Sequence, residues 1–74
     1  MYKEMFYRLT IKDSLNNTTE PQPLAYHTES AALDSAYHIM EKHGGIEHID
    51  TTWYNKTLWN EDMSFGVEVG KILI

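Results

Sequence analysis

The sequence predicts an α+β domain in which an antiparallel sheet of four or five strands carries one helix on one face. Two observations predict this class. Several segments alternate between apolar and polar residues with a period of two, and one central segment has helical spacing. The chain has 74 residues, fewer than the roughly 100–200 residues of a typical domain. We therefore expect residues 1–74 to form a single domain, with one helix packed against one sheet.

Two strands are expected before the helix. Residues 5–12 alternate between apolar side chains and a mostly polar second set, which is typical of a half-buried strand. Residues 13–22 are polar, and Pro21 and Pro23 cannot donate backbone hydrogen bonds, so a long loop is predicted there. Residues 24–28 are then expected to return as the antiparallel partner of the first strand.

The clearest signal is a helix over residues 28–45. Apolar side chains recur at helical spacing, and the small Ala32 and Ala36 would let the helix approach a sheet closely. Thr28 or Ser30 can accept a hydrogen bond from the free amides of the first turn. A glycine pair at the carboxyl end supplies the left-handed cap that commonly ends a helix.

The chain after the helix is predicted to return through the sheet. Residues 46–54 are rich in β-branched and aromatic side chains and alternate, which indicates a strand. Residues 55–56 are predicted to form a two-residue turn, although their Asn-Lys sequence favours such a turn less strongly than Asn-Gly does. Residues 57–59 would begin the return strand, and residues 60–64 would form a turn or loop.

The last segment also alternates, but not throughout. Residues 65–69 place apolar side chains at every second position. Ile72 and Ile74 are out of phase with that run, so we expect a bulge at Gly70. The predicted order is strand, strand, helix, strand, and then one or two more strands.

Composition limits the classes of function. The chain has 6 Lys and Arg against 11 Asp and Glu, a formal net charge of −5 that is spread along its length. Direct binding to phosphate backbones needs clustered cations, so we expect no direct contact with nucleic acid. The charge favours solubility or attraction to a basic protein surface. No apolar run exceeds three residues and no secretory segment is present, so we expect a cytoplasmic protein without a membrane contact.

The residues with catalytic or metal-binding potential form no recognisable motif. The chain has no cysteine. Its histidines are His27, His38, His43 and His48. Three of them are five residues apart, which does not place them on one helical face. The carboxylate pairs Glu61–Asp62 and Glu47 with Asp50 would need a cleft for acid–base chemistry. We therefore expect a protein that is not an enzyme and that holds no metal or cofactor.

The aromatic residues leave two interpretations open. Tyr26, Tyr54 and Trp59 lie on short predicted strands, and one helix cannot cover both faces of those strands. Tyr and Trp are favoured anchors of protein interfaces. The other interpretation is that Trp53 belongs to the core and the rest complete a small core, because small domains depend on aromatic side chains.

The segment that joins the second strand to the helix carries a resemblance. It reads Tyr-His-Thr-Glu-Ser-Ala-Ala-Leu-Asp-Ser-Ala over residues 26–36, followed by a strand rich in Ile and Thr. Over about residues 24–54 this pattern resembles small phage-encoded inhibitor proteins, among them anti-CRISPR proteins and an inhibitor of bacterial RNA polymerase; small antitoxins share the same joint. The resemblance implies a non-enzymatic blocker that docks on a nucleic-acid-processing machine of the host.

These observations lead to one functional hypothesis and one alternative. The hypothesis is an inhibitor from a phage or mobile element that binds a host protein or ribonucleoprotein complex in the host cytoplasm. Its predicted partner-binding residues are Asp50, Tyr54, Trp59, Glu61 and Asp62. The carboxylates would meet a basic groove, and the two aromatic side chains would anchor the contact. The alternative is a homodimeric scaffold or regulatory subunit that pairs through its C-terminal residues 72–74.

Overall fold

One antiparallel sheet and one helix make up the structure, a computed structural model that describes residues 5–73. The elements are β1 (Met5–Asp13), β2 (Thr18–Tyr26), α1 (Glu29–Glu41), β3 (His48–Thr51), β4 (Asn55–Trp59) and β5 (Phe65–Leu73). The sheet has five strands in the order β2-β1-β5-β4-β3. The predicted fold class is confirmed, and of the two predicted strand numbers the larger is correct.

The helix covers most of one face of the sheet but does not reach its far edge. Each neighbouring pair of strands is antiparallel, and β5 lies in the middle between β1 and β4. The chain passes from β2 at one edge, through α1, to β3 at the other edge. Among the described residues, α1 lies close to β1, β2, β4 and β5 and not to β3. One edge strand therefore has no helix above it.

The core lies between α1 and the central strands. Its buried apolar residues are Leu9, Ala32, Ala36, Met40, Leu58, Val67 and Val69. The two alanines are fully buried, as expected for a helix that approaches a sheet closely. Burying one Leu or Val side chain contributes about 1.5–3 kcal/mol to folding. This small cluster therefore supplies much of the apolar driving force of the domain.

The helix begins and ends with hydrogen bonds that satisfy its free backbone groups. The Thr28 hydroxyl accepts a hydrogen bond from the Ala31 amide at 3.1 Å, so Thr28 is the N-cap. At the other end the Gly45 amide donates to the Met40 carbonyl at 2.8 Å. Gly45 has a φ of +89°, a conformation that glycine adopts without steric cost. The predicted N-cap is confirmed at Thr28. The helix ends at Glu41 with Lys42 as a right-handed C-cap, so the left-handed glycine pair lies two and three residues beyond the cap.

The predicted long loop after β1 is wrong in its extent. β2 begins at Thr18, so only residues 14–17 connect the two strands. The turn is tight because Asn17 has a φ of +53° and the Asp13 carboxylate accepts hydrogen bonds from Asn16. Pro21 lies within β2, where an edge strand tolerates a residue without an amide proton. The register also shifts between Arg8 and Thr10.

Three predictions about the C-terminal half need correction. The strand predicted over residues 46–54 spans only His48–Thr51, so Trp53 and Tyr54 lie in the turn that follows it. β4 begins at Asn55, so residues 55–56 belong to a strand and the turn lies just before them. β5 pairs with β1 without interruption from Phe65 to Leu73, so the predicted bulge at Gly70 is wrong. Ile72 is out of phase with the apolar run because it lies on the opposite face of the same regular strand, across from Phe6. Ile74 lies outside the described residues.

Candidate functional site

Trp59 lies flat on the face of the sheet that the helix does not cover. In one cross-strand row, Trp59 pairs with Gly66, and Gly66 pairs with Lys12. A Cβ atom at Gly66 would lie 2.5 Å from Cε3 of the indole ring, so only glycine fits beneath it. Nε1 of Trp59 is buried and has no hydrogen-bond partner among the described residues. This predicted anchor is thus packed against its own sheet and is half-buried.

A small polar cluster occupies the next rows of this open face. The Glu68 carboxylate accepts a hydrogen bond from the Asn55 side-chain amide at 2.8 Å. The Lys12 ammonium group lies 3.5 Å from the same carboxylate oxygen. A partly exposed ion pair of this kind contributes about 0–1 kcal/mol. The cluster joins β1, β5 and β4 and leaves Glu68 with its charge balanced.

The β3 edge is the most exposed strand of the sheet. All four of its residues are exposed, and Ile49 is 55% exposed although its direct partner on β4, Leu58, is fully buried. The difference arises because α1 covers β4 and does not reach β3. Asp50 is exposed on this edge and pairs with Thr57. The predicted partner-binding carboxylate Asp50 is therefore accessible.

The turn between β3 and β4 presents two aromatic side chains to solvent. We call it the aromatic turn. Trp53 is 88% exposed and Tyr54 is 49% exposed. Their rings meet edge to face with centroids 5.0 Å apart. Thr52 holds the turn, because its hydroxyl accepts a hydrogen bond from the Asn55 amide at 3.1 Å and donates to Asn55 Oδ1 at 2.6 Å. The interpretation that places Trp53 in the core is therefore wrong.

The loop between β4 and β5, residues 60–64, holds two adjacent carboxylates on a rigid backbone. We call it the acidic loop. The Asn60 amide donates to the Phe65 carbonyl at 3.0 Å, and the Phe65 amide donates to Oδ1 of Asn60 at 3.1 Å. The Ser64 hydroxyl donates to the Asp62 carboxylate at 2.6 Å. Glu61 and Asp62 are both exposed. The acidic loop therefore holds the Asp62 carboxylate in place through Ser64, while the Glu61 carboxylate extends into solvent from the same loop.

Hydrogen bonding also favours the charged form of Asp62. The Ser64 hydroxyl and amide both bond to the Asp62 carboxylate and hold the pKa of Asp62 below its usual value of 3.8. The loop is tied to β3, because Nε2 of His48 lies 3.0 Å from the Glu61 carbonyl oxygen. Glu47 precedes β3 and is exposed, and its amide donates to the Trp59 carbonyl. Three carboxylates thus lie at one corner of the sheet.

The predicted site residues do not form one cluster. Trp59 and the acidic loop lie at one end of β4, and Tyr54 lies just before the other end. β4 has five residues, which corresponds to about 17 Å at the usual rise along a strand. Asp50 lies between the two ends, on the neighbouring strand. The sequence did not indicate that Ile49 is exposed, since its place in the alternation is that of a core residue.

Two further histidines lie beside aromatic rings, and His43 also lines a hollow with Glu61 and Asp62 of the acidic loop. Within residues 5–73, no three His, Cys, Asp or Glu side chains lie close enough to hold a metal ion. His43 stacks on Phe65 with centroids 3.8 Å apart, and His27 lies 5.1 Å from the Phe6 ring. A second hollow, of about 140 Å³, lies between the start of α1 and the aromatic turn, and Lys56 forms part of its wall.

Comparison of the chain with known protein families, with curated proteins and with solved structures finds no match. Within the part of the chain that the structure describes, no helix has the length and apolar character needed to cross a membrane. Any functional interpretation therefore rests on the geometry of the β3 edge, the aromatic turn and the acidic loop.

Proposed function

We propose that this chain is a non-enzymatic protein-binding module that docks its acidic loop on a basic surface of a partner and thereby keeps nucleic acid away from that surface. The observation that carries the proposal is the rigid acidic loop, in which Glu61 and Asp62 are exposed and hydrogen bonds fix the backbone on both sides. The proposed class of protein is the small phage-encoded inhibitor that residues 24–54 resemble.

Rigidity supports binding because a loop that is already ordered loses little conformational entropy when a partner docks. Met63 has a φ of +58°, a left-handed conformation that the surrounding hydrogen bonds hold in place. The Ser14 amide also donates to the Ser64 carbonyl at 2.8 Å, which fastens the acidic loop to the turn after β1. The loop backbone and the Asp62 carboxylate would therefore already be ordered before a partner docks.

Electrostatics support a basic partner. The chain carries a net charge of −5, which accelerates encounter with a positive surface and repels nucleic acid. Glu47 and Asp50 lie near the acidic loop on the β3 side, so the negative charge extends along that edge. A groove that binds nucleic acid is lined with Lys and Arg and is the complementary surface.

The aromatic turn would supply the apolar part of the contact. Tyr54 and the more exposed Trp53 bring large area at low rotamer cost, which is why such side chains anchor interfaces. They lie one strand length away from the acidic loop, so a partner that touches both must span the β3–β4 side of the sheet. Trp59 would contribute by shaping the sheet surface beside the acidic loop.

Capture from a bacterial lysate tests the proposal when the unmodified chain and two matched variants serve as separate baits. We expect the unmodified chain to retain a nucleic-acid-binding protein at low salt, to lose it at high salt, and to lose it when an excess of oligonucleotide competes. The Glu61→Gln, Asp62→Asn double variant should retain about tenfold less. The control Glu20→Gln, Asp34→Asn removes two carboxylates elsewhere and should retain the partner. Equal retention by both variants contradicts the proposal.

The homodimeric alternative meets a constraint from the sheet order. β5 has β1 on one side and β4 on the other, and its pairing with β4 ends at Gly70 opposite Asn55. A second copy could reach β5 only beyond that point, where residues 71–73 pair with β1 alone. Among the described residues, pairing through the C-terminal strand is therefore limited to residues 71–73, and we favour the protein-binding module because of the exposed acidic loop.

A further inference from the structure

We propose that a second copy of this chain pairs with β3 in an antiparallel register centred on Ile49, so that two sheets join edge to edge around a two-fold axis. β3 is an edge strand with β4 as its one neighbour in the sheet. All four of its residues are exposed, and the strand contains no proline and no lysine, the residues that commonly protect an edge. The edge is open to a further strand.

The backbone groups of β3 that face outward are those of Ile49. The Thr52 amide donates to the Asn55 carbonyl at 2.8 Å, so Thr52 directs its backbone groups toward β4. In an antiparallel ladder, alternate residues bond to the same neighbour. Asp50 therefore also faces β4, and the amide and carbonyl of Ile49 face away from it; the Glu47 amide, which donates to the Trp59 carbonyl, precedes β3 and lies outside this alternation. Two copies centred on Ile49 would exchange a pair of hydrogen bonds at the axis.

The side chains are self-complementary in this register. His48 of one copy stands opposite Asp50 of the other, and the symmetry repeats this pair on the other side of the axis. Such directly opposed pairs, between residues that do not exchange backbone hydrogen bonds, have the closest side chains of an antiparallel ladder. The His48 ring, whose Nε2 already lies 3.0 Å from the Glu61 carbonyl oxygen of its own copy, would use its other nitrogen to bond the Asp50 carboxylate, and this pair would occur twice. Registers shifted by one or two residues lose this symmetric match.

The apolar residue at the centre also needs a neighbour. Ile49 lies on the helix side of the sheet, beside buried Leu58, and is 55% exposed because α1 does not reach β3. At the two-fold axis it would meet Ile49 of the second copy in the space between the two helices. The pairing would cover apolar surface that a single copy leaves in water.

A second copy fits this edge better than it fits the opposite one. β2 contains Pro21 and Pro23, which cannot donate, and its register with β1 is irregular. The pairing leaves Glu61 and Asp62 exposed but uses Asp50 at the axis, so the acidic-loop variants test the proposed function and the Ile49 and His48 variants test the pairing. It would bring the aromatic turn of one copy to the same end as the acidic loop of the other.

Sedimentation velocity over concentrations of about 10 µM to 1 mM tests the pairing. We expect the mean mass to rise from that of one chain toward that of two. Ile49→Lys places like charges opposite each other at the axis and should weaken association about tenfold or more. The matched control Leu24→Lys changes an equally accessible apolar residue, 63% exposed, on β2 and should leave association unchanged. Circular dichroism verifies that both variants fold.

A charge exchange tests the register itself. His48→Glu places two carboxylates opposite each other on both sides of the axis, and Asp50→Lys removes the opposite charge. Each variant alone should associate more weakly than the unmodified chain. A mixture of the two should form a heterodimer, because the introduced glutamate of one copy would face the introduced lysine of the other across the axis. A chain that stays monomeric at about 1 mM, or a mixture that associates no better than its components, overturns the proposal.

Discussion

The two edge strands of the sheet are protected to different degrees. β2 has nine residues, contains two prolines and lies close to α1. β3 has four residues, no proline and no helix above it. An unprotected edge offers unpaired backbone groups to any further strand. The contrast shows two different ways of limiting an edge: prolines and the helix at β2, and short length with the charge of Asp50 at β3.

The same contrast has a mechanical consequence. β3 receives no support from the helix, so it depends on β4. β4 in turn is held from both faces: Leu58 is buried beneath α1, and Trp59 lies over Gly66 on the open face. β3 can therefore be no more stable than β4, the strand with which it pairs. The predictions below test this support, beginning with the largest expected effect.

Truncation of the two paired residues Leu58 and Ile49 should separate the supported strand from the free one. Leu58→Ala removes a fully buried side chain and should lower the free energy of unfolding by about 2–5 kcal/mol. Ile49→Ala, at low protein concentration, should change it by about 0.5 kcal/mol. Urea unfolding of both variants measures the difference. Equal losses would mean that β3 is covered in solution.

A methyl group beneath Trp59 tests the second support of β4. Gly66→Ala places a Cβ 2.5 Å from the indole ring and should cost about 1–3 kcal/mol, because the ring has to move off the sheet. Gly70→Ala is the matched control on the same strand and face, since its added Cβ meets nothing within 4 Å. Thermal unfolding and near-ultraviolet circular dichroism report the two effects. Similar losses at both glycines would contradict this account of Trp59.

The turn between β3 and β4 should depend on one hydroxyl group. Thr52→Ala removes the acceptor for the Asn55 amide and the donor to the Asn55 side chain, and should cost about 0.5–1.5 kcal/mol. Thr52→Ser retains the hydroxyl and should preserve most of the stability. Amide hydrogen exchange in β3 should accelerate in the alanine variant alone. Unchanged exchange would show that the β4 ladder holds β3 without the turn.

The smallest expected effect concerns the charge of the acidic loop. The pKa of Asp62 is lowered by the Ser64 hydrogen bonds, so this carboxylate stabilises the fold above its unfolded pKa and loses that contribution as the pH falls through its folded pKa. Ser64→Ala should raise the pKa of Asp62 toward 3.8. Carboxyl NMR titration measures the change. Asp13, whose pKa is lowered by Asn16, is the internal control and should not shift.

The sequence was a good guide wherever local pattern decides the structure. Helical spacing, the Thr28 cap and the glycine pair located α1, and alternation located β1 and most of β5. It was a poor guide to β2, because Pro21 and Pro23 are compatible with a loop and with an edge strand alike. The turn after β3 was predicted at Asn-Lys, residues 55–56, but it lies before Asn55, where the hydroxyl of Thr52 closes it.

The candidate site was predicted less completely than the fold. The sequence predicted Asp50, Tyr54, Trp59, Glu61 and Asp62, and four of them are exposed while Trp59 is half-buried. No local pattern could distinguish Ile49 from a core residue, or indicate that Gly66 makes room for Trp59. Both facts depend on which strands become neighbours, and strand order is a property of the whole chain.

The sequence by itself determined the alternation of β1 and of residues 65–69, the place and N-cap of the helix, and the acidic balance of the chain. Those features follow from periodicity and from hydrogen bonds between residues close in the chain. The tertiary structure alone decided which apolar residues are covered. Ile49 and Leu58 are paired on one face, yet one is exposed and the other is buried. The reason is that the helix lies over β4 and does not extend over β3.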